Sequence, residues 1–177
     1  MQTQQSRLKP GGTGDAASSW TGIRLEGVSR VYGKGASTVR ALSDFTLELP
    51  LRSLVVVLGP SGSGKTTLLN LLGGIDRASA GRIFVGETEV SALDDRRLVA
   101  YRRERVGFVF QFFNLLPSLT ARENVALAAE LVEAPAAPER VLQAVGLGDR
   151  MDHFPSELSG GEQQRVSIAR ALVKNPP

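Results

Sequence analysis

Residues 59–67 read GPSGSGKTT, and this stretch decides the fold of the 177-residue chain. It meets the pattern G-x-x-x-x-G-K-[ST] at Gly59, Gly64, Lys65 and Thr66. A strand-like apolar run, LVVVL at 54–58, precedes it, and a helix-like run, TLLNLL at 67–72, follows it. A loop between a strand and a helix is the setting in which this pattern binds phosphate. The flanks therefore favour a phosphate-binding loop over the alternative, an ordinary Gly/Ser-rich turn.

Each residue type in this loop suits the binding of a triphosphate. Gly62 and Gly64 permit the positive φ angles of a tight bend and let backbone N–H groups approach an anion. The helix that begins near Gly64 adds unpaired N–H groups and the positive end of its dipole. Lys65 brings a charge to the β- and γ-phosphates, and Thr66 offers a hydroxyl to Mg²⁺. The predicted nucleotide site comprises Gly59, Pro60, Ser61, Gly62, Ser63, Gly64, Lys65, Thr66 and Thr67.

Composition limits the class of protein. Hydrophobic residues make up 42% of the chain, a value typical of a globular domain. The absence of cysteine excludes disulfides and cysteine metal sites. No apolar run reaches the length of a membrane span, so any work at a membrane needs another subunit or another part of a longer polypeptide. Residues 1–21 are rich in Gln, Gly, Ser and Thr and are predicted to form a flexible tail without a secretory signal.

The only dense basic cluster lies in a helix-like stretch that begins at residues 91–94. Ser91 and Asp94 have the spacing of a capping box there. Tyr101 is the only aromatic residue within the cluster, which favours a solvated helix face over nucleic-acid contact, and no nucleic-acid partner is expected. The cluster consists of Arg96, Arg97, Arg102, Arg103 and Arg105.

Hydrophobic periodicity predicts strands before residue 111 and helices after it. Strands are predicted at 23–28, 45–49, 81–86 and 106–110, the last of these buried on both faces. Thr120 and Glu123 form a T-x-x-E capping box that opens a helix. A Pro/Ala-rich break at 134–138 leads to a short helix at 139–145, which Gly146 ends. Residues 112–160 are therefore predicted to be a helical insertion between sheet elements.

A second glycine-lined helix start occurs at residues 158–165, which read LSGGEQQR. Ser159 and Glu162 have capping-box spacing, and apolar residues continue at helical period from Val166. Exposed N–H groups and a serine hydroxyl suit an anion. The alternative is an ordinary capped helix, but the presence of the phosphate loop in the same chain makes that alternative weaker.

The two stretches together resemble the ATP-binding cassette family, with GPSGSGKT as its Walker A motif and LSGGEQQR as its signature motif. The resemblance covers residues 23–177 and implies an α/β fold: a P-loop NTPase (RecA-like) core with an antiparallel β subdomain and the helical insertion. It also implies that Tyr32 stacks on adenine, where the alternative is a core or edge-strand aromatic. Gln111 matches the Q-loop glutamine, which helps Thr66 to hold Mg²⁺ and senses the membrane partner.

The resemblance further implies ATP and Mg²⁺ as cofactors and a head-to-tail homodimer as the working form. ATP on one subunit would be covered by the partner's signature motif, and the residues facing it in trans would be Ser159, Gly160, Gly161 and Glu162. An integral membrane permease would be the second partner, which places the chain at the cytoplasmic face of the membrane. The stretches 72–76, 107–125 and 158–172 resemble the subfamily of lipoprotein release and macrolide export, with the cell-division ATPase as a close neighbour.

One departure from the family pattern lies at the C-terminal end. Family members continue the signature helix into an apolar Walker B strand ending in Asp-Glu, and later have a switch histidine. This sequence reads KNPP at 174–177, and its lone His153 precedes the signature and is predicted to be a loop residue. The expectation is a cassette domain of residues 22–177 that is C-terminally incomplete, does not hydrolyse ATP by itself, and exposes unpaired sheet edges.

Three functions follow as hypotheses. The first is the ATP-binding subunit of an export-type transporter, which in full-length form would hydrolyse ATP. The second is a non-transport cassette ATPase of DNA repair or translation, which salt-dependent DNA or ribosome binding would favour. The third is a non-catalytic nucleotide-binding module.

Overall fold

The computed structural model describes residues 22–33 and 35–177. The predicted tail at residues 1–21 lies outside this range. An antiparallel four-stranded sheet opens the described part, in the order β2-β1-β3-β4. Its strands are β1 (Ile23–Tyr32), β2 (Val39–Leu49), β3 (Ala80–Val85) and β4 (Thr88–Glu89). The three strands predicted at 23–28, 45–49 and 81–86 are present: the first two lie within the longer β1 and β2, and the third matches β3 to within one residue at each end.

Five α-helices lie in the described residues: α1 (Lys65–Leu72), α2 (Asp95–Arg105), α3 (Ala121–Ala129), α4 (Pro138–Ala144) and α5 (Gly160–Leu172). Short 3-10 turns occur at Gly35–Ser37, Val90–Ala92, Gly148–Arg150 and Pro155–Glu157. The capping boxes predicted for α3 and α5 are both present, because each has a Ser or Thr at the N-cap and a Glu three residues later. None of these helices is long and apolar enough to cross a membrane.

The hydrophobic residues form two separate cores. The first joins the sheet to α1 and α2, and its fully buried members include Leu25, Val28 and Leu71. The second lies among α3, α4 and α5, around residues such as Val125, Leu142 and Val166. Because the phosphate loop leads into α1 and the LSGG stretch opens α5, each glycine-lined helix start is anchored by its own core.

Two predicted strands are absent, and this corrects the expectation for 54–58 and 106–110. Neither segment pairs with another strand among the described residues. In the first segment Leu54 is 95% exposed and Leu58 is 86% exposed. In the second, Val109 and Phe110 are exposed rather than buried on both faces. A strand needs a hydrogen-bonded neighbour, so apolar β-branched sequence alone is not sufficient to form one.

The capping box predicted from Ser91 and Asp94 is also wrong. Asp94 itself is the N-cap of α2, and its carboxylate accepts a hydrogen bond from the Arg97 N–H at 2.8 Å. Ser91 serves the sheet instead, because its hydroxyl accepts from the Ile83 N–H at 3.0 Å. The N-cap of α2 is therefore Asp94, three residues after the predicted position at Ser91.

Candidate functional site

The loop at residues 59–64 bends tightly before α1 begins. The Ser63 N–H donates to the Pro60 carbonyl at 3.3 Å, and Gly62 has a φ of +78°. Gly64 is the N-cap of α1, with a left-handed φ of +86°. A Cβ at Gly64 would lie 2.4 Å from the carbonyl oxygen of Ala41 on β2. Both the angle and this close approach require glycine, and they dock the loop against the sheet.

Lys65 folds back across this loop. Its Nζ donates to the carbonyls of Gly59 at 2.9 Å and Pro60 at 2.7 Å, and it lies 3.4 Å from the Ser63 hydroxyl. These oxygens hold the ammonium group over the loop, next to the N-terminus of α1. The Lys65 ammonium group and the positive end of the α1 dipole therefore lie side by side at the loop.

A cavity of about 260 Å³ lies over the loop. None of the residues that line it carries a carboxylate, while Lys65 and Arg40 supply positive charge. The cavity therefore fits the phosphate chain of a nucleotide, and it offers groups that bind phosphate but no general base. Its lining residues are Val39, Arg40, Ala41, Ser61, Gly62, Ser63, Gly64, Lys65, Thr66 and Thr67. We call this cavity the phosphate cradle.

The contribution of β2 to the phosphate cradle was not predicted from the sequence. Val39, Arg40 and Ala41 lie at the start of this strand, 20 or more residues before Lys65. No local pattern marks them, because the contact arises only when β2 packs against Gly64.

The second glycine-lined start is closed by its own side chains. The Glu162 carboxylate accepts from the Ser159 N–H at 2.8 Å and from the Ser159 hydroxyl at 2.7 Å. The Ser159 oxygen in turn accepts from the Glu162 N–H at 3.3 Å. These hydrogen bonds from Ser159 hold the pKa of Glu162 below its ordinary value. Ser159, Gly160 and Gly161 are exposed, so the predicted contact residues are open to solvent.

Gln111 lies in an exposed turn directly after the 106–110 segment and is not among the residues that line the phosphate cradle. The backbone after it is strained, with φ of +58° at Phe113 and +49° at Asn114. Arg170 of α5 holds this turn, since its guanidinium donates to the carbonyls of Phe113 and Asn114, each at 2.5 Å. The LSGG helix therefore fixes the segment that carries Gln111.

Tyr32 ends β1 and is also outside the lining of the phosphate cradle. The residue is 37% exposed, and its hydroxyl donates to the Asp76 carboxylate at 2.6 Å. The side chain is thus neither buried in a core nor free. Asp76 and its neighbour Arg30 were not predicted as site residues, although Asp76 ends the stretch 72–76 that resembles the subfamily.

The two predicted metal ligands, Thr66 and Gln111, are neither carboxylates nor histidines. Among the residues that the structure describes, no group of three or more His, Asp or Glu side chains could hold a metal ion. The Thr66 hydroxyl lines the phosphate cradle, whereas Gln111 does not. A magnesium ion would therefore need the phosphates themselves as ligands, which is how Mg²⁺ is usually bound with nucleotides.

Phosphate binding by such a loop and helix defines the P-loop class of nucleotide-binding proteins, and the phosphate cradle places the chain in this class. A family model described as ABC transporter matches residues 42–177. The chain belongs to the ABC transporter family of ATP-binding domains, as its motifs predicted. The α/β P-loop NTPase fold is confirmed by the same family's solved structures.

One such structure is a dimeric ATP-binding cassette in a post-hydrolysis state bound to ADP and Pi. It is 40% identical to this chain, with a TM-score of 0.79, and the match covers 88% of this chain and 71% of that one. The macrolide export ATP-binding/permease protein MacB of Marinobacter nauticus is 47% identical over 156 residues, which are 85% of this chain and 24% of that protein.

A relative of a different kind is equally similar. The methionine import ATP-binding protein MetN of Rhodopseudomonas palustris is 47% identical over 163 residues, which are 88% of this chain and 44% of that protein. An ABC transporter ATP-binding protein of Thermotoga maritima is 46% identical over 159 residues, which are 87% of this chain and 68% of that protein. The family is therefore established, while the direction of transport is not decided by similarity.

Proposed function

We propose that this chain is the ATP-binding domain of an ABC transporter, which in the whole protein hydrolyses ATP to drive export or lipoprotein release through a membrane permease. The single observation that carries the proposal is the phosphate cradle, where Lys65 and the N-terminus of α1 meet. Magnesium, when bound with ATP, would neutralise phosphate charge, with Thr66 and Gln111 as its protein ligands. The proposed domain covers residues 22–177, with residues 112–160 as its helical subdomain.

The chain's own residues explain how ATP would be held. The Lys65 ammonium group now satisfies carbonyls of its own loop, so it is already positioned where phosphate oxygens would replace them. Gly62 and Gly64 supply the positive φ angles at which the loop bends. The adenine would stack on Tyr32, whose ring is accessible at the end of β1.

The working form that we propose is a head-to-tail homodimer, in which Ser159, Gly160, Gly161 and Glu162 of one subunit cover the phosphates bound by the other. Support comes from the exposure of Ser159, Gly160 and Gly161 and from the dimeric state of the related cassette. The γ-phosphate would bridge the two subunits, so that its loss shifts the population towards the open form.

The transport direction and the membrane partner are further proposals. The stretches 72–76 and 107–125 support an export-type role, and the similarity to MacB agrees with it. The similarity to MetN supports import equally, so the two must be separated by experiment. The chain would then lie in the cytoplasm at the inner face of the membrane, bound to a permease.

Titration of the 177-residue chain with Mg·ATP by calorimetry tests the binding proposal. Lys65→Met keeps the stem of the side chain but removes its charge and donors. We expect it to weaken ATP binding about ten- to a hundredfold, as for loss of a charge-assisted hydrogen bond. Arg97→Met is the matched control, since its exposed side chain lies outside the phosphate cradle. Equal affinity of the two variants would refute the proposed role of the cradle.

The partner proposal needs the whole gene product. Co-expression with a MacB-type permease and, separately, with a MetN-type permease system, followed by purification in detergent, should give a stable complex only with the first. ATPase stimulation in that complex should follow its formation. A stable, stimulated complex with the import permease alone would reverse the proposed direction.

A further inference from the structure

The Tyr32 ring lies on the same side of the sheet as the phosphate cradle. In the β1–β2 ladder, Tyr32 is directly opposite Val39. Side chains of directly opposed residues project from the same face of an antiparallel pair. Val39 lines the phosphate cradle, so Tyr32 stands beside it at the end of the strand. A base attached to a triphosphate in the cradle would therefore reach this ring.

Two neighbouring residues hold the ring in one orientation. The Tyr32 hydroxyl donates to Asp76 Oδ2 at 2.6 Å, and the Arg30 guanidinium lies 4.4 Å from the ring centroid. Arg30 and Tyr32 are two residues apart on β1 and so share one face. Because Arg30 covers one face of the ring, a base has only the opposite face on which to stack.

Arg30 is itself fixed by the same carboxylate. Its Nε lies 2.9 Å from Asp76 Oδ2, and a terminal nitrogen lies 2.7 Å from Oδ1. Such two-point pairing defines the plane of the guanidinium as well as its position. Burial alone would disfavour the ionised carboxyl, but the bonds from Tyr32, the Arg77 N–H and Arg30 outweigh it and lower the pKa of Asp76. The carboxylate therefore stays charged at neutral pH.

Asp76 belongs to the structural unit that carries the phosphate loop. It follows α1 by a short turn, in which the N–H groups of Ile75 and Asp76 both donate to the Asn70 carbonyl, at 2.9 and 3.2 Å. The next residues also bind β1, since the Val31 N–H donates to the Ser79 hydroxyl at 3.1 Å. One carboxylate thus links the end of α1 to the ring at the end of β1.

From this geometry we infer that Asp76 and Arg30 are positioning residues for base recognition. They fix the Tyr32 ring at a set distance from the phosphate cradle, so that a purine nucleotide meets a prepared stacking surface. This inference rests on the proposed ATP-binding function and extends it, since it adds residues that touch neither base nor phosphate. Asp76 acts through Tyr32 and Arg30, and its loss affects the base without affecting the phosphates.

Comparison of two ligands tests this directly. ATP engages both the ring and the cradle, whereas inorganic tripolyphosphate engages the cradle alone. We expect Asp76→Asn to weaken ATP binding about five- to tenfold, as for loss of a hydrogen bond and an ion pair, with tripolyphosphate binding unchanged. Tyr32→Phe, which keeps the ring but removes its tether, should weaken ATP binding about threefold.

A double-mutant cycle separates positioning from a structural role. In a Tyr32→Ala background, Asp76→Asn should have no further effect on ATP affinity, because the ring through which it acts is gone. The matched control is Glu89→Gln, which removes a carboxylate that forms a similar two-point pair with Arg82 at the far edge of the sheet. This control should bind both ligands like the wild type.

Three results would overturn the inference. The first is an equal loss of ATP and tripolyphosphate binding in Asp76→Asn, which would mean that Asp76 supports the phosphate loop instead. The second is an additive effect in the Tyr32→Ala background. The third is equal affinity of the wild type for both ligands, which would mean that the phosphate cradle binds phosphate but that the base makes no contact with Tyr32. Failure of the wild type to bind either ligand would remove the proposed function as well.

Discussion

The helices α1 and α5 both begin at glycine-lined N-termini, but only α5 is closed by its own side chains. Ser159 and Glu162 form a complete capping box on α5. The N-cap of α1 is Gly64, which has no side chain to offer, and no side-chain cap bond is present there. The first N–H groups of a helix need hydrogen-bond acceptors. On α5 the Ser159 side chain is such an acceptor, whereas on α1 no side chain accepts and a ligand can take this place.

The charge at the two helix starts differs in the same direction. Glu162 places a carboxylate at the N-terminus of α5, where it satisfies the helix dipole from within. Lys65 and Arg40 place cations beside the N-terminus of α1. The cations beside the start of α1 therefore attract a phosphate group, whereas the Glu162 carboxylate already occupies the start of α5. In the proposed head-to-tail dimer, α1 would bind nucleotide first, and α5 would join only when a partner subunit brings it to the bound phosphate.

Substitution of Gly64, at the open N-terminus of α1, should have the largest effect on stability. Gly64→Ala forces a left-handed Ala and brings its Cβ to 2.4 Å from the Ala41 oxygen. We expect a loss of about 2–5 kcal/mol in the free energy of unfolding, from backbone strain and overpacking together. Gly62→Ala is the control, because its φ is also positive but no atom lies within 4 Å of the new Cβ. It should cost only about 1–2 kcal/mol.

Urea unfolding of the two glycine variants measures this difference. Equal destabilisation would mean that the contact between the loop and β2 does not hold the phosphate cradle together. ATP affinity, measured on the folded fraction, should fall more in Gly64→Ala as well.

A smaller effect is expected at the closed helix start. Ser159→Ala removes the N-cap of α5 and should cost about 1 kcal/mol. Thr120→Ala removes the equivalent cap of α3, which has the same capping box but no proposed contact with nucleotide, and should cost a similar amount. Only Ser159→Ala should also weaken ATP-driven dimerisation of the whole gene product in analytical ultracentrifugation. If both variants dimerise alike, Ser159 is a cap and nothing more.

The smallest effect is a dependence on pH. Hydrogen bonds from Ser159 lower the pKa of Glu162 below 4.5, and those from Thr120 do the same for Glu123. A lowered folded-state pKa means that each carboxylate stabilises the fold above its unfolded pKa and loses this contribution as pH falls through the folded value. The urea midpoint should therefore fall as the pH drops below 4.5.

Glu162→Gln and Glu123→Gln should each flatten this dependence, because a glutamine does not titrate. Urea midpoints across the acidic range measure it for both helices. A pH profile that neither substitution changes would show that other carboxylates govern acid unfolding.

The sequence predicted those features that depend on residues close together in the chain. The capping boxes of α3 and α5 and the start of α1 are local, so spacing alone located them. The strands predicted at 54–58 and 106–110 failed because a strand depends on a distant partner that no local pattern reveals. The hydrogen bond between Tyr32 and Asp76 joins residues 44 positions apart, so no local pattern could predict it. Packing of β1 against the turn after α1 creates it.

Amide signals of the labelled chain, followed by NMR during titration with Mg·ATP at a concentration that keeps it monomeric, test the central comparison most directly. The N–H signals of residues 62–67 should shift with ATP while those of residues 160–162 stay in place. Equal shifts at both helix starts, or shifts at residues 160–162 alone, would contradict it.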